Sequence, residues 1–240
     1  MSPISAYTYI VREYQARESS LTVKLGFCDL LSNLPVPGTD EFSDLRLSLK
    51  PFGMRSDRYS VEPSNTNQTT KLSDVRVNYS LMNDTLIFRV AYDGIEIVIP
   101  TVAENSHEIA TVIAETILAS LKENQQTAVS TASVQSTAHL EIEPHDPRHY
   151  LAEQFRIGDA KLVPDAFAVE VEPLEGSPVK SCRIVIAKSL RFPAALFLDF
   201  VAGYECDDSF VPSDFLVSTR NDYATRLELL GLSSPRGTKK

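Results

Sequence analysis

The stretch that decides the fold is LIFRVAYDGIEIVIP, at positions 86–100. Apolar residues alternate with other residues on both sides of Asp93-Gly94, a dipeptide typical of two-residue turns between antiparallel strands. This pattern predicts a β-hairpin. Its apolar side chains are expected on one face and are Leu86, Phe88, Val90, Tyr92, Ile95, Ile97 and Ile99.

A helix is predicted shortly after the hairpin. Asn105 and Glu108 have the spacing of a capping box, in which two side chains satisfy free backbone N–H groups at a helix start. Apolar residues then recur with helical period as far as Asn124, which predicts an amphipathic helix. The stripe expected to lie on the sheet consists of Ile109, Val112, Ile113, Ile117 and Leu121.

Shorter apolar runs predict further elements on both sides of this unit. The predicted strands are 7–14, 21–27, 42–49, 75–79, 128–134, 139–143, 166–171 and 181–187. The first two are expected to pair as a hairpin. Residues 221–230 predict a C-terminal helix, 148–156 fit a short helix, and 192–201 fit either a helix or a buried strand.

The predicted fold class is α+β, a mainly antiparallel β-sheet with one central amphipathic helix packed on it and a short C-terminal helix. Residues 1–234 are expected to form a single β-rich domain, followed by a flexible basic tail at 235–240. The polar segment 55–71 lacks periodicity and is predicted to be an exposed loop.

The composition favours a cytosolic protein that neither crosses a membrane nor binds nucleic acid specifically. A net charge of −9 over 240 residues opposes a phosphate-binding surface. No apolar run approaches the roughly 20 residues of a membrane helix, and no secretion signal is recognised at the N-terminus. The widely spaced Cys28, Cys182 and Cys206 fit reduced thiols.

The strongest candidate for a metal site is the strand predicted around residue 140. Strand alternation would place His139, Glu141, Glu143 and His145 on one face, with His149 just beyond. Imidazole and carboxylate groups together can hold zinc or iron. The same alternation is typical of any strand with one solvated face, so we assign no metal ligand.

No enzyme motif is recognised in the sequence. Ser177 and Lys180 have the Ser-x-x-Lys spacing of some acyl-transfer enzymes, but Gly176 and Pro178 predict a turn there. Glycine-rich phosphate loops and nucleophile elbows are also missing. We therefore assign no catalytic or cofactor-binding residues and no cofactor, and we expect a protein that is not an enzyme.

Three segments resemble a module of tail and nozzle proteins in tailed bacteriophages. In that module a strand, a Gly turn and a second strand precede an Ala/Ile-rich helix. The segments are FRVAYDGIEIVIP at 88–100, EIATVIAETI at 108–117 and VQSTAHLEI at 134–142, the last being similar to the strands that follow such helices. The resemblance implies an architecture and transfers no functional residue.

The leading hypothesis is a virion structural protein, a component of a phage tail or neck. It is expected to form a homo-oligomeric ring and to contact other virion proteins. One alternative is a stand-alone module that binds carbohydrate or another protein. A less favoured alternative is a metal-dependent hydrolase built around the segment from His139 to His149.

Overall fold

The chain has an α+β fold with a mainly antiparallel sheet, which confirms the coarse prediction of the fold class. The computed structural model describes residues 12–27, 40–55, 57–63, 75–91, 94–124, 129–142, 146–154, 165–172, 176–207 and 209–233.

Ten strands run through these described ranges. They are β1 (Arg12–Phe27), β2 (Tyr59–Pro63), β3 (Val75–Leu81), β4 (Leu86–Ala91), β5 (Gly94–Ile99), β6 (Val129–Ile142), β7 (Ala166–Val171), β8 (Ser181–Lys188), β9 (Ala195–Glu205) and β10 (Leu232–Ser233). Nine of them follow the order β2-β3-β4-β5-β1-β6-β9-β8-β7, and each is antiparallel to its neighbours. The short β10 pairs in parallel with the start of β1.

Four α-helices lie within the part of the chain that the structure describes. They are α1 (Asp40–Leu49), α2 (Ser106–Asn124), α3 (Pro147–Gln154) and α4 (Pro212–Leu229). The prediction of one central and one C-terminal helix is therefore wrong in number. α4 also begins well before residue 221, because Pro212 and Asp214 start a helix whose polar residues obscure its period.

α1 replaces the predicted strand at 42–49. Leu45, Leu47 and Leu49 alternate as in a strand, but Leu47 is exposed while the other two are buried. Phe42, three residues before Leu45, is buried as well, so the buried set has helical spacing. Strict alternation holds only from Leu45 to Leu49, and so short a stretch fits both the strand and the helix period.

β1 is one continuous strand where a hairpin of 7–14 and 21–27 was predicted. Its polar middle pairs with β6, and the register shifts between Ala16 and Glu18. β5 covers only Leu21 to Gly26 on the other side. The first half of this strand pairs with β6 and remains partly exposed to solvent, so polar side chains can be accommodated there. Likewise, the two runs predicted within 128–143 form the single strand β6.

The predicted central hairpin is confirmed as β4 and β5, with a turn one residue earlier than expected. Ala91 pairs with Gly94, so the strands are joined through residues 92 and 93, which lie outside the described residues. Compared with the predicted pairing of Tyr92 with Ile95, the register is shifted by an even number of residues. Each side chain therefore remains on the face of the sheet that was predicted for it. The described apolar residues of that face are buried: Leu86, Phe88, Val90, Ile95, Ile97 and Ile99.

The helices and the sheet enclose two hydrophobic clusters on the same face of the sheet. The first cluster lies between α1, α2, the start of α4 and strands β3, β4 and β5. The second lies between α3, the end of α4 and strands β8 and β9. β1 and β6 run through both clusters. On α2 the buried stripe includes Ile113, Ile117 and Leu121 as predicted, whereas Val112 is exposed.

A row of polar side chains crosses the opposite face of the sheet. Arg89 lies beside Glu96 in the register of β4 and β5, and its Nη1 is 2.6 Å from a Glu96 carboxylate oxygen. The Arg89 Nε donates to the Asn78 side-chain oxygen at 2.7 Å. Glu96 is buried although it faces away from the hydrophobic clusters. Its charge is therefore compensated locally, as burial of a carboxylate requires.

The segment predicted as a loop at 55–71 contains the edge strand β2, so that prediction is wrong for residues 59–63. Residues 64–71 and the predicted tail at 235–240 lie outside the described residues. Residues 192–201, for which two readings were open, contribute to strand β9. None of the described helices combines the length and apolar character that a membrane crossing requires.

Two buried tyrosines are expected to respond in opposite directions when the hydroxyl is removed. The Tyr79 hydroxyl is buried without a hydrogen-bond partner among the described residues, whereas the Tyr150 hydroxyl donates to the Leu230 carbonyl oxygen at 2.8 Å. We expect Tyr79→Phe to raise the free energy of unfolding by about 1 kcal/mol and Tyr150→Phe to lower it by about 1 kcal/mol. Urea denaturation measures both, and a loss of stability in Tyr79→Phe would contradict the assignment.

Candidate binding cleft between the two cores

A cleft of about 380 Å³ opens where the two hydrophobic clusters meet. It lies over β1 and β6, between the start of α2 and the middle of α4. The lining residues are Tyr14, Gln15, Ala16, Ser19, Ser20, Val102, His107, Ser136, Thr137, Ala138, Leu140 and Tyr223. Uncharged hydrogen-bonding groups and apolar groups therefore share this wall.

Three small residues on the two central strands, Ser19, Ser136 and Ala138, create the space. Ser19 of β1 is paired with Ala138 of β6, and Ser136 of β6 is paired with Leu21 of β1. Larger apolar side chains continue on both sides along the strands, at Val23 and Leu140, and those are buried. Because the interior of a protein is close-packed, a local run of Ala and Ser leaves a gap that the helices above do not fill.

Three ring side chains of the cleft have shifted pKa values. Burial raises the pKa of the Tyr14 and Tyr223 hydroxyls, and an electrostatic interaction with Tyr14 adds to the shift in the pKa of Tyr223. Burial and the nearby Arg220 guanidinium lower the pKa of His107, which Glu108 partly opposes. All three side chains are therefore neutral at pH 7.

A salt bridge spans the α2 and α4 helices beside the cleft. The Arg220 Nη1 lies 3.1 Å from a Glu108 carboxylate oxygen, and both residues are exposed. The pair brings a positive and a negative charge close to His107. Its position explains why Arg220 and Glu108 act on the imidazole in opposite directions.

The lowered pKa of His107 predicts a pH-dependent stability. The unfolded chain binds the imidazole proton more readily than the folded chain does, so folding stability falls as the pH drops from 6.5 through the lower folded pKa. In His107→Gln this contribution should vanish, so the urea midpoint of the original protein should fall relative to that of the variant as the pH drops. Chemical denaturation at several pH values between 7.5 and 5 measures it. The charged groups that act on the imidazole, Arg220 and Glu108, are the same in both proteins, as are Tyr14 and Tyr223, which line the cleft with His107.

The residues of the predicted metal site are engaged in other contacts. Glu141 accepts two hydrogen bonds from Arg17, at 2.7 and 3.0 Å. His149 lies on α3, where its Nε2 is 2.7 Å from a Glu153 carboxylate oxygen. Glu143 and His145 lie outside the described residues. Within the described ranges no three His, Cys, Asp or Glu side chains form a group that could hold a metal ion.

His139 contacts Ser189, a pair that sequence reasoning did not identify. The His139 Nδ1 is 2.9 Å from the Ser189 hydroxyl, which also accepts backbone N–H groups of Arg191 and Phe192 at 3.1 and 2.8 Å. Ser189 is buried and caps the turn before β9. The hydroxyl is therefore occupied in holding a turn, which is a structural role, and a nucleophile would need access to a substrate.

Ser177 likewise serves a turn, in agreement with the sequence reading of that segment. Its hydroxyl donates to the Asp222 carboxylate at 3.0 Å and accepts the Val179 N–H at 3.1 Å. Lys180 is exposed, and its backbone N–H donates to the Gly203 carbonyl oxygen. The structure thus places Ser177 against the buried Asp222 of α4, a contact that joins this loop to the helix.

The cleft was not predicted from the sequence because its residues come from distant segments. Tyr14, His107 and Tyr223 belong to β1, α2 and α4. The only local signal is the run of Ala, Ser and Thr at 128–138, which marks where a strand has little bulk to fill the core. No model of a known protein family matches the chain, and a search of curated proteins gives no significant match.

Proposed function

We propose that this protein is a structural subunit of a virion, a component of a bacteriophage tail or neck that acts by self-association and by contact with neighbouring virion proteins. The observation that carries the proposal is the pair of strands at the ends of the sheet, β2 and β7. On β2, the side chains of Tyr59 and Val61 are 47% and 57% exposed. Apolar side chains on a sheet edge are typical of surfaces that meet another chain.

The order of elements supports the phage part of the proposal. A hairpin of β4 and β5, the helix α2 and the strand β6 follow one another in the chain. This is the order of the module in tail and nozzle proteins that the sequence resembles. The proposal treats the chain as a non-enzyme without cofactor or metal, consistent with the structural contacts of Ser177, Ser189, Glu141 and His149.

The proposal is tested by particle composition and by mass. Mass spectrometry of purified phage particles should find the protein as a constituent with a fixed copy number. Light scattering on the isolated protein over rising concentration should show a discrete oligomer, and electron microscopy should show its shape. A protein that is monomeric at every concentration and missing from the particles would contradict the proposal.

A small-molecule binding role is a second candidate, which the cleft favours. Its wall combines hydroxyl groups of Ser19, Ser136 and Tyr223 with apolar side chains, and none of the lining residues named above is Asp, Glu, Lys or Arg. Such a wall suits an uncharged ligand with hydroxyl groups, a saccharide among others. A glycan array separates the two candidates, because specific glycan binding is not expected of an assembly subunit.

A further inference from the structure

The two ends of the sheet run in the same direction. Nine strands form the path from β2 to β7, and each is antiparallel to the next. Eight reversals separate the two ends, so the direction of β7 equals that of β2. If two copies lie side by side with their helices on the same side of the sheet, β2 of one copy therefore meets β7 of the other as a parallel strand.

The apolar side chains of both edges also point to the same face. Tyr59 and Val61 of β2 pair with Tyr79 and Val77, which belong to the first hydrophobic cluster. On β7, Val169 pairs with Ile184, and neighbouring Phe167 and Val171 pair with Ile186 and Cys182 of the second cluster. Both edge rows are thus on the helix side of the sheet.

We propose that copies of this chain join head to tail, with β2 of one copy added in parallel to β7 of the next, so that the sheet continues through a closed ring. The inference rests on the proposed role in assembly and specifies the surface and the partner, a second copy. The joint aligns the apolar row of one edge with the apolar row of the other. The helices of all copies then lie on one side of the ring.

The side chains indicate a register for this joint. With Val61 beside Phe167, the carboxylate of Glu62 lies beside Ala168 and two positions away from Glu170. A shift of two residues would place Glu62 beside Glu170, which costs electrostatic repulsion. The register with Val61 beside Phe167 therefore joins the apolar residues without placing two carboxylates directly beside each other.

A head-to-tail joint covers both edges with a single type of contact. Pairing β7 with β7, or β2 with β2, across a two-fold axis would instead be antiparallel and would also match apolar rows. Each such dimer leaves the other edge of both copies exposed. β2 carries the exposed Tyr59 and Val61, and every second residue of β7 is exposed, at Ala166, Ala168 and Glu170. The joint that covers both edges is therefore favoured.

The test uses one variant for each edge and a control. Val61→Lys places a charge on the β2 edge, and Val169→Lys places one on the β7 edge. Ala168→Glu is a second β7 variant at an exposed position, where a new carboxylate would oppose Glu62. Val217→Lys on α4 is the matched control. Val217 and Val61 are almost equally exposed, at 58% and 57%, but Val217 lies on a helix. Thermal unfolding shows that each variant is folded.

Native mass spectrometry is expected to find an oligomer of at least three copies for the original protein and for Val217→Lys, and monomers for each single-edge variant. A mixture of Val61→Lys with Val169→Lys should form a one-to-one dimer and nothing larger, because one intact β7 edge then meets one intact β2 edge. This complementation is specific to a head-to-tail joint.

Three other outcomes overturn the joint. If Val61→Lys forms a dimer by itself, and mixing it with Val169→Lys produces no mixed dimer, the contact is a two-fold one between β7 strands. An oligomer that persists in all edge variants indicates another surface. In both cases the proposed role in assembly stands. A monomeric original protein also overturns the joint, and the particle composition then decides the role in assembly by itself.

Discussion

Replacing Gly94 with alanine is expected to lower the free energy of unfolding by about 3 kcal/mol. Gly94 opens β5 and pairs with Gly26 of β1. A Cβ atom at Gly94 would lie 2.3 Å from the Leu25 carbonyl oxygen and 3.2 Å from the Gly26 Cα. Both contacts are with the backbone of the central strand, so relief requires movement of a strand that carries both clusters. Urea denaturation measures the effect.

Gly203→Ala provides the control for this substitution. Its added Cβ would meet the Ser181 hydroxyl at 2.6 Å, and this side chain is exposed and can rotate away. We expect a loss below about 1 kcal/mol. A loss in Gly94→Ala as small as the one expected for Gly203→Ala would show that β1 can yield at Gly26 and that the close approach of β5 is not required.

Replacing Ile113 with alanine is expected to lower the free energy of unfolding by about 3 kcal/mol. Ile113 is fully buried in the first cluster, on the side of α2 that packs over the sheet. The substitution removes apolar area and leaves a cavity that rigid neighbours fill only partly. The same denaturation experiment measures this loss.

Val112, the preceding residue, is the matched control for Ile113. It is 48% exposed and lies on the same helix turn. Val112→Ala should change the stability by less than about 0.5 kcal/mol. If Val112→Ala were the more costly substitution, α2 would be rotated, and the packing of the helix on the hairpin would have to be revised.

The parts of the fold that the sequence predicted well are those with local causes. Alternation from Leu86 to Ile99 and helical spacing from Ile113 to Leu121 are properties of short segments, and both elements formed. The predicted turn was misplaced because Asp93-Gly94 has the composition of a turn, whereas Gly94 is needed for the approach to β1. Composition alone does not show whether a glycine is present for a turn or for a close approach between two strands.

The remaining errors have causes that lie far away in the chain. Whether Leu45, Leu47 and Leu49 form a strand or a helix depends on the packing of α1 against α2. The polar middle of β1 is a strand because β6 is long enough to pair with it. The cleft combines β1, α2 and α4 in the same manner. A single sequence has no signal for such distant pairings, so neither the cleft nor the sheet order could be predicted.

The long strands β1 and β6 have a thermodynamic consequence for the molecule as a whole. Each contributes side chains to both hydrophobic clusters and forms the main contact between the two halves of the sheet. Loss of either cluster would expose one half of the same two strands and weaken the ladder that supports the other half. We therefore expect the clusters to unfold as one cooperative unit, with a strain applied at one outer strand transmitted across the backbone ladder to the opposite one.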